Sequence, residues 1–395
     1  MEHNPRVIEL AELPRAVRHM ADIDESQAQV ADRLALRARR AIRLDAVEVE
    51  AAEILKQEAQ ALGIVVMDGA SGAQGSAPRL LVADVETLRR LGAVMESRGE
   101  RGLGAAIRAT LTSYTRTGFF LSFADGERLD LENRTLVMGI VNVTPDSFSN
   151  GGHLKDVAAA IDAASRMSEQ GADIVDVGGE STRPGAESVP VEEELRRVIP
   201  VVETIKRELS LRVSVDTTKL KVARQAIDAG ADMVNDVSAF SEPGMLQLLR
   251  DSRVPVIVMH MRGSPRTMQQ DTRYVDLMSS LVGFLRKTLA KAAAAGIPDD
   301  KILVDPGLGF GKSAAGNLQI LREMPTLRSV GRPVVIGASR KSFIGSILDL
   351  PVGERLEGSL AVAALAAWQG AHVVRAHDVG PTVRVVRMVQ AIRSA

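Results

Sequence analysis

The sequence predicts a (β/α)8 barrel preceded by a smaller α/β unit, and three observations carry this. Short Val/Ile-rich runs recur every few tens of residues between Met138 and Val379, each followed by a polar loop and then an amphipathic helical pattern, the alternation of a parallel sheet wrapped in helices. The runs are almost continuously apolar, as strands must be when one face meets the barrel interior and the other the helices. Polar residues and glycines collect after the runs, at the end where barrels of this kind build their sites. With 395 residues, 45% of them hydrophobic, the chain is long enough for one large barrel and one smaller domain.

Residues 1–117 read as a separate accessory α/β unit, with strands expected at Arg6–Leu10, Ala41–Leu44, Ile64–Met67 and Leu80–Ala83 among helices rich in Ala, Glu and Arg. Ala46–Leu62 is composed of strong helix formers and stops at Gly63. The loop DGASGAQGSAP, Asp68–Pro78, lacks the Lys-Ser/Thr ending of a phosphate-binding loop and reads as a connection. No titratable groups stand at catalytic spacing in this third, so it reads as a structural or assembly module.

Residues 118–134 form the next piece: Phe119–Ala124 and Arg128–Leu131 flank Asp125-Gly126, a two-residue hairpin signal, and the hairpin is expected to plug the bottom of the barrel. The barrel occupies residues 135–395, with strands expected at Leu136–Val143, Ile174–Val177, Arg212–Val215, Met233–Asn235, Pro255–Met259, Ile302–Asp305, Val334–Ile336 and Val373–Arg375. Lys155–Gln170, Val191–Glu208 and Leu220–Ala229 are among the intervening helices. Gly171-Ala172-Asp173, Gly230-Ala231-Asp232 and the similar Gly370-Ala371-His372 each end a helix and open a strand.

Composition narrows the function. With 49 basic and 50 acidic residues and formal net charge −1, no net field favours nucleic acid or an anionic membrane over a small substrate. The absence of cysteine excludes disulfides, thiolate metal sites and cysteine nucleophiles. The first residues lack a basic segment followed by an apolar run, and no stretch approaches about 18 consecutive apolar residues. A cytoplasmic location is therefore expected.

Eight segments sit where strands meet loops: MGIVNVTPDSFS, GGESTRPGAES, VSVDTT, VNDVSA, VMHM, DPGLGFGK, IGASRKS and RAHDV. Asp216, Asn235 and Asp305 end strands three, four and six, so two carboxylates and an amide should converge in the barrel mouth. Either Asp alone could equally cap the following helix; together with Asn235 and Lys341 they point to a site. Lysines in loops are commonly solvated, yet Arg340, Lys341, Ser342, Arg375 and His377 fall in the loops after strands seven and eight, where such barrels often bind phosphate. Arg375 and His377 flank Ala376 and so can face the mouth from one strand end. The alternate glycines of DPGLGFGK resemble a dinucleotide fingerprint only superficially, because they lie deep in a repeating barrel; they read instead as letting the backbone approach a flat ring, with Phe310 exposed beside them.

The order and content of these segments closely resemble the dihydropteroate synthase family, over roughly the last two thirds of the chain, and the amino-terminal third is compatible with the extension of long-form members. The resemblance implies a TIM barrel that displaces pyrophosphate from 6-hydroxymethyl-7,8-dihydropterin pyrophosphate with the arylamine of p-aminobenzoate. It implies that Asp216, Asn235, Asp305 and Lys341 hold the pterin, whose ring donors buried carboxylates can accept. It further implies that Arg183 is at the leaving group, that Thr182 and Pro184 lie beside p-aminobenzoate, and that Asn142 is near a pyrophosphate-bound Mg2+; Ser342, Arg375 and His377 are then the expected ligands of that anion, and Phe310 is read as packing on the aminobenzoate. A homodimer is expected from the family, with Ser359–Trp368 the candidate interface or else ordinary core, and sulfonamides are expected to compete with p-aminobenzoate. Where the family has a larger branched residue this chain has Ala376, and Asn150 stands where Asp is commoner. A methyl transfer from methyltetrahydrofolate on a related barrel would explain the pterin carboxylates but not Thr182-Arg183-Pro184-Gly185 or the Arg375/His377 pair, and a non-catalytic pterin-binding scaffold should lack an anion or pterin residue.

Overall fold

The computed structural model describes residues 3–8, 40–69, 76–143, 153–183 and 185–395. Most of the loop after the first barrel strand, with Asp146 and Asn150, and also Pro184, lies outside the described residues.

The chain forms two compact units. The first comprises residues 1–116 together with 276–283 and 323–331, so it takes in two segments that lie later in the chain than its expected end. Its four strands, β1 (Arg6–Ile8), β2 (Arg40–Val47), β3 (Val65–Asp68) and β4 (Ala77–Ala83), make an antiparallel sheet in the order β1-β2-β4-β3. Helices α1 (Val49–Ala61), α2 (Val85–Ser97) and α3 (Arg101–Tyr114) contribute Leu55, Leu88, Leu91 and Ile107 to a core shared with Val7, Ile42 and Leu81 of the strands. The start of α2 is fixed by Asp84, whose carboxylate accepts from Thr87 N at 2.9 Å and Thr87 Oγ1 at 2.6 Å.

The second unit begins with the hairpin β5 (Phe120–Ser122) and β6 (Arg128–Asp130). Eight parallel strands follow: β7 (Leu136–Asn142), β8 (Ile174–Gly178), β9 (Arg212–Asp216), β10 (Met233–Asp236), β11 (Val256–Met259), β12 (Ile302–Asp305), β13 (Val335–Gly337) and β14 (Val373–Ala376). Each pairs with its neighbour, β14 pairs with β7, and a parallel bridge between Val304 and Val334 closes the ring. The sequence-based barrel is therefore the observed one. At its amino-terminal end Leu121, Phe123 and Leu131 of the hairpin pack on Leu136, Met138, Ile174, Met233, Ile257, Leu303, Val335 and Val373. Buried Lys301 ties the hairpin in place, donating to Ser122 O at 2.7 Å and Phe123 O at 3.0 Å.

The repeated Gly-Ala-Asp/His triplets acquire a mechanical meaning. Asp173 accepts from Val137 N at 2.8 Å, Asp232 from Val213 N at 2.8 Å, and His372 Nδ1 from Val334 N at 2.9 Å. In each case the side chain accepts from a backbone amide at or beside the start of an adjacent strand, satisfying that donor. Among the described residues no helix is long and apolar enough to cross a membrane.

Candidate active site

Strand geometry decides which residues meet in the mouth. Side chains at i and i+2 share a face, and Ile174, Met233, Leu303 and Val373 belong to the apolar layer inside the barrel. Two residues further along the same strands stand Asp176, Asn235, Asp305 and Arg375. The interior thus changes from apolar to charged within one step toward the carboxyl rim. Parallel pairing sets Asn235 beside Asp216 and Gly337 beside Arg375.

The centre of this layer is a carboxylate that sequence reasoning left unassigned. Asp176 is 0% exposed, and its Oδ2 accepts from Arg375 Nε at 2.6 Å and Asn235 Nδ2 at 3.0 Å. Arg375 Nη2 donates to Asp216 Oδ2 at 2.8 Å, so one guanidinium joins two strands' carboxylates. Asp176 Oδ1 is buried with no hydrogen-bond partner among the described residues, a costly state for a carboxylate oxygen and one that a donor-bearing ligand would relieve. Burial, reinforced by the charge of Asp176, pushes the Asp216 carboxyl up to about 7 against the opposing pull of Arg375. Burial likewise raises Asp305, whose Oδ1 accepts from Gly307 N at 2.6 Å.

Lys341 closes the other side. Its Nζ donates to Leu308 O at 2.6 Å and lies 3.9 Å from the centroid of the Phe310 ring, a cation–π contact. Burial lowers the Lys341 ammonium to about 7, partly offset by Asp305 and Asp216. Phe310 is buried with Val237, Met259 and Met268, which corrects the expectation that flanking glycines would leave it exposed. The glycines serve the path of the loop: a Cβ on Gly307 would sit 2.1 Å from His260 O and one on Gly309 2.9 Å from Lys341 Cδ, with φ +69° and +83°. Lys312, quoted in the motif but given no role there, is buried and its Nζ reaches Phe310 O at 2.8 Å, His260 O at 3.1 Å and His260 Nδ1 at 3.0 Å. Burial and then Lys312 hold His260 down at about 3, so its imidazole is neutral and Nδ1 accepts. The signal for both residues was a charged and an ionisable side chain inside otherwise apolar motifs.

His377 is half-buried and tied to Ser339, whose Oγ lies 3.0 Å from Nδ1 and 3.1 Å from the His377 amide. Burial, with Arg375 next, lowers it to about 4. Arg340 is paired with Asp378 at 2.5 Å. Ser342 is exposed at the start of helix Ser342–Leu348. Thr182 is half-buried and Arg183 exposed in the loop after β8. Asn142 ends β7 in register with Gly178, whose own neighbour across the sheet is Asp216. Among the described residues no group of three or more His, Cys, Asp or Glu side chains could hold a metal ion.

The mouth of this closed parallel barrel thus presents buried carboxylates, an amide and a lysine over an aromatic ring. The family model for pterin binding enzymes matches residues 138–377, and the chain belongs to that family. It is similar to dihydropteroate synthase from Escherichia coli (strain K12), 47% identical over 273 residues, 69% of this chain and 96% of that protein. The enzyme of Synechocystis sp. is 46% identical over 67% of this chain and 92% of its own length. Among solved structures, Xanthomonas albilineans dihydropteroate synthase with 4-aminobenzoic acid superposes with TM-score 0.67 at 47% identity, covering 71% of this chain and all (100%) of that one. The Yersinia pestis enzyme in a sulfonamide drug complex has TM-score 0.67 at 44% identity, covering 70% and 100%.

Proposed function

We infer that the chain is a dihydropteroate synthase, joining 6-hydroxymethyl-7,8-dihydropterin pyrophosphate to p-aminobenzoate to give 7,8-dihydropteroate and pyrophosphate in folate biosynthesis. The observation that carries this is the Asp176–Asn235–Arg375–Asp216 network. It offers carboxylate acceptors, one of them unpartnered, to a ring edge rich in N–H donors, and the similarity to dihydropteroate synthases over the whole barrel supplies the reaction.

In this reading the bond from the pterin methylene carbon to pyrophosphate breaks, the arylamine nitrogen bonds to that carbon, and the nitrogen then gives up a proton. No covalent nucleophile is required, and the arylamine is already uncharged at neutral pH. Asp216, Asn235 and Asp305 hold the pterin, and buried carboxylate charge stabilises cationic character as the leaving group departs. Lys341 covers the ring beside Phe310. Arg183, Arg375 and His377 receive pyrophosphate; His377, neutral at pH 7, does so as a hydrogen-bond donor rather than as a charge. Thr182 and Pro184 border p-aminobenzoate. Asn142 offers a hard amide oxygen at the mouth and would hold Mg2+ together with pyrophosphate oxygens and water, the ion supplying neutralisation of the leaving group.

The same reading places the enzyme in the cytoplasm as a homodimer. Helix Leu356–Trp368 turns Ala363, Ala366 and Ala367 inward while leaving Trp368 exposed, and Met388 and Ile392 of helix Val379–Ser394 are exposed as well; this apolar surface is the proposed interface. Residues 1–117 are read as an accessory unit with a structural or assembly role. The test incubates purified protein with the dihydropterin pyrophosphate, p-aminobenzoate and Mg2+. Dihydropteroate and pyrophosphate forming one to one, with sulfonamides competing against p-aminobenzoate, supports the assignment; tight pterin binding with no product would refute it.

A further inference from the structure

We propose that Glu180 and Lys219 form a clamp that holds the loop after β8 ready for the second substrate. The loop runs from Glu180 to Val189 and carries Thr182 and Arg183, and the proposal rests on the role given to these two residues above. Its two ends are joined through one carboxylate: Glu180 Oε2 accepts from Val189 N at 2.9 Å and from Ser188 Oγ at 3.4 Å. The same oxygen accepts from Lys219 Nζ at 2.5 Å, and that ammonium also donates to Val189 O at 2.6 Å. Both backbone polar groups of Val189 are therefore held by the pair.

The clamp is anchored to the strand that carries Asp216. Lys219 also pairs with Glu194, a carboxylate only 1% exposed, whose other oxygen accepts from Thr217 Oγ1 at 2.6 Å. Thr217 directly follows Asp216. A chain of contacts thus runs from the pterin side of the mouth, through Thr217, Glu194 and Lys219, to the base of the loop. Burial opposes the charge on Lys219, but hydrogen bonds to Glu180 and Glu194 outweigh it and raise the ammonium's pKa, so the ammonium keeps its charge. A loop fixed at both ends loses less freedom when a ligand settles against it, and the saving appears as affinity for that ligand.

Glu180 and Lys219 are positioning residues, since neither needs to touch the reacting atoms. In Glu180→Gln, Lys219 keeps Glu194 as partner, so folding is spared. The expected result is a KM for p-aminobenzoate raised about tenfold, the effect of re-ordering one or two side chains on binding, with kcat and calorimetric affinity for the dihydropterin pyrophosphate both within about twofold of wild type and an unchanged melting temperature. Lys219→Arg should retain most of the affinity that Lys219→Met loses. An unchanged KM in Glu180→Gln would overturn the proposal, as would a parallel loss of affinity for both substrates together with melting temperature. Arg183→Ala is measured alongside: if it leaves KM and kcat untouched, the loop is outside the site and the clamp falls with that reading, whereas an effect of Arg183→Ala without one of Glu180→Gln overturns the clamp alone.

Discussion

Arg375 reaches Asp176 through Nε at 2.6 Å and Asp216 through Nη2 at 2.8 Å, so the guanidinium expected to meet the leaving group also neutralises the carboxylates expected to meet the pterin. Removing it leaves two buried carboxylates without their hydrogen-bonded cation. Arg375→Met should therefore lower stability by about 3–5 kcal/mol, as breaking a buried pair does, as well as abolish turnover. Chemical denaturation read beside activity checks both; a stable but inactive variant would show that the pair contributes little to folding.

Lys341 should behave in the opposite sense. Its folded-state pKa lies near 7, below the ordinary value of 10.5, so the folded protein holds this proton less tightly than the unfolded chain. The penalty is fully present below pH 7, shrinks between pH 7 and about 10.5, and is gone above that range. Lys341→Met should accordingly be more stable than wild type by about 1–2 kcal/mol at pH 6 and lose that advantage toward pH 10, while losing activity. Melting curves across this range test the sign.

The same two groups shape the pH dependence of catalysis. Asp216 is pushed up to about 7 and loses its charge as pH falls; Lys341 is lowered to about 7 and loses its charge as pH rises. The profile of kcat/KM should be a narrow bell near neutrality whose apparent limbs belong to the interacting set. Asp216→Asn should remove the acid limb along with most of the rate.

Gly307 has no room for a side chain: its φ is +69° and a Cβ would lie 2.1 Å from His260 O. Gly307→Ala should cost more than about 2 kcal/mol and displace Phe310 and Lys341 from each other. Gly185, also at positive φ (+81°) but with nothing near its Cβ position, should tolerate Ala at a cost of about 1 kcal/mol.

Much of this was legible in the sequence. The eight strands read as apolar runs because both their faces are buried, and Asp216, Asn235 and Asp305 stood out because each interrupts such a run at its end. Asp176 escaped notice because it lies inside a run, between Val175 and Val177, where only the strand's period of two reveals that it faces the interior above Ile174. Glu180, Glu194 and Lys219 were illegible for another reason: the ion pairs that Lys219 makes with both carboxylates join the stretches after β8 and β9, and a single sequence does not say which side chains of the two stretches meet. Phe310 was placed wrongly because glycine on both sides suggests openness, when these glycines instead allow the loop to pack closely against the chain around His260.

The central claim is that the pterin is received by the buried carboxylate network around Asp176. Its most direct test is calorimetric titration of wild type and Asp176→Asn with the dihydropterin pyrophosphate in Mg2+. The account predicts a loss of about 10- to 100-fold in affinity, the cost of setting an amide donor where an acceptor is required, with the variant still folded. Affinity within twofold of wild type would contradict it.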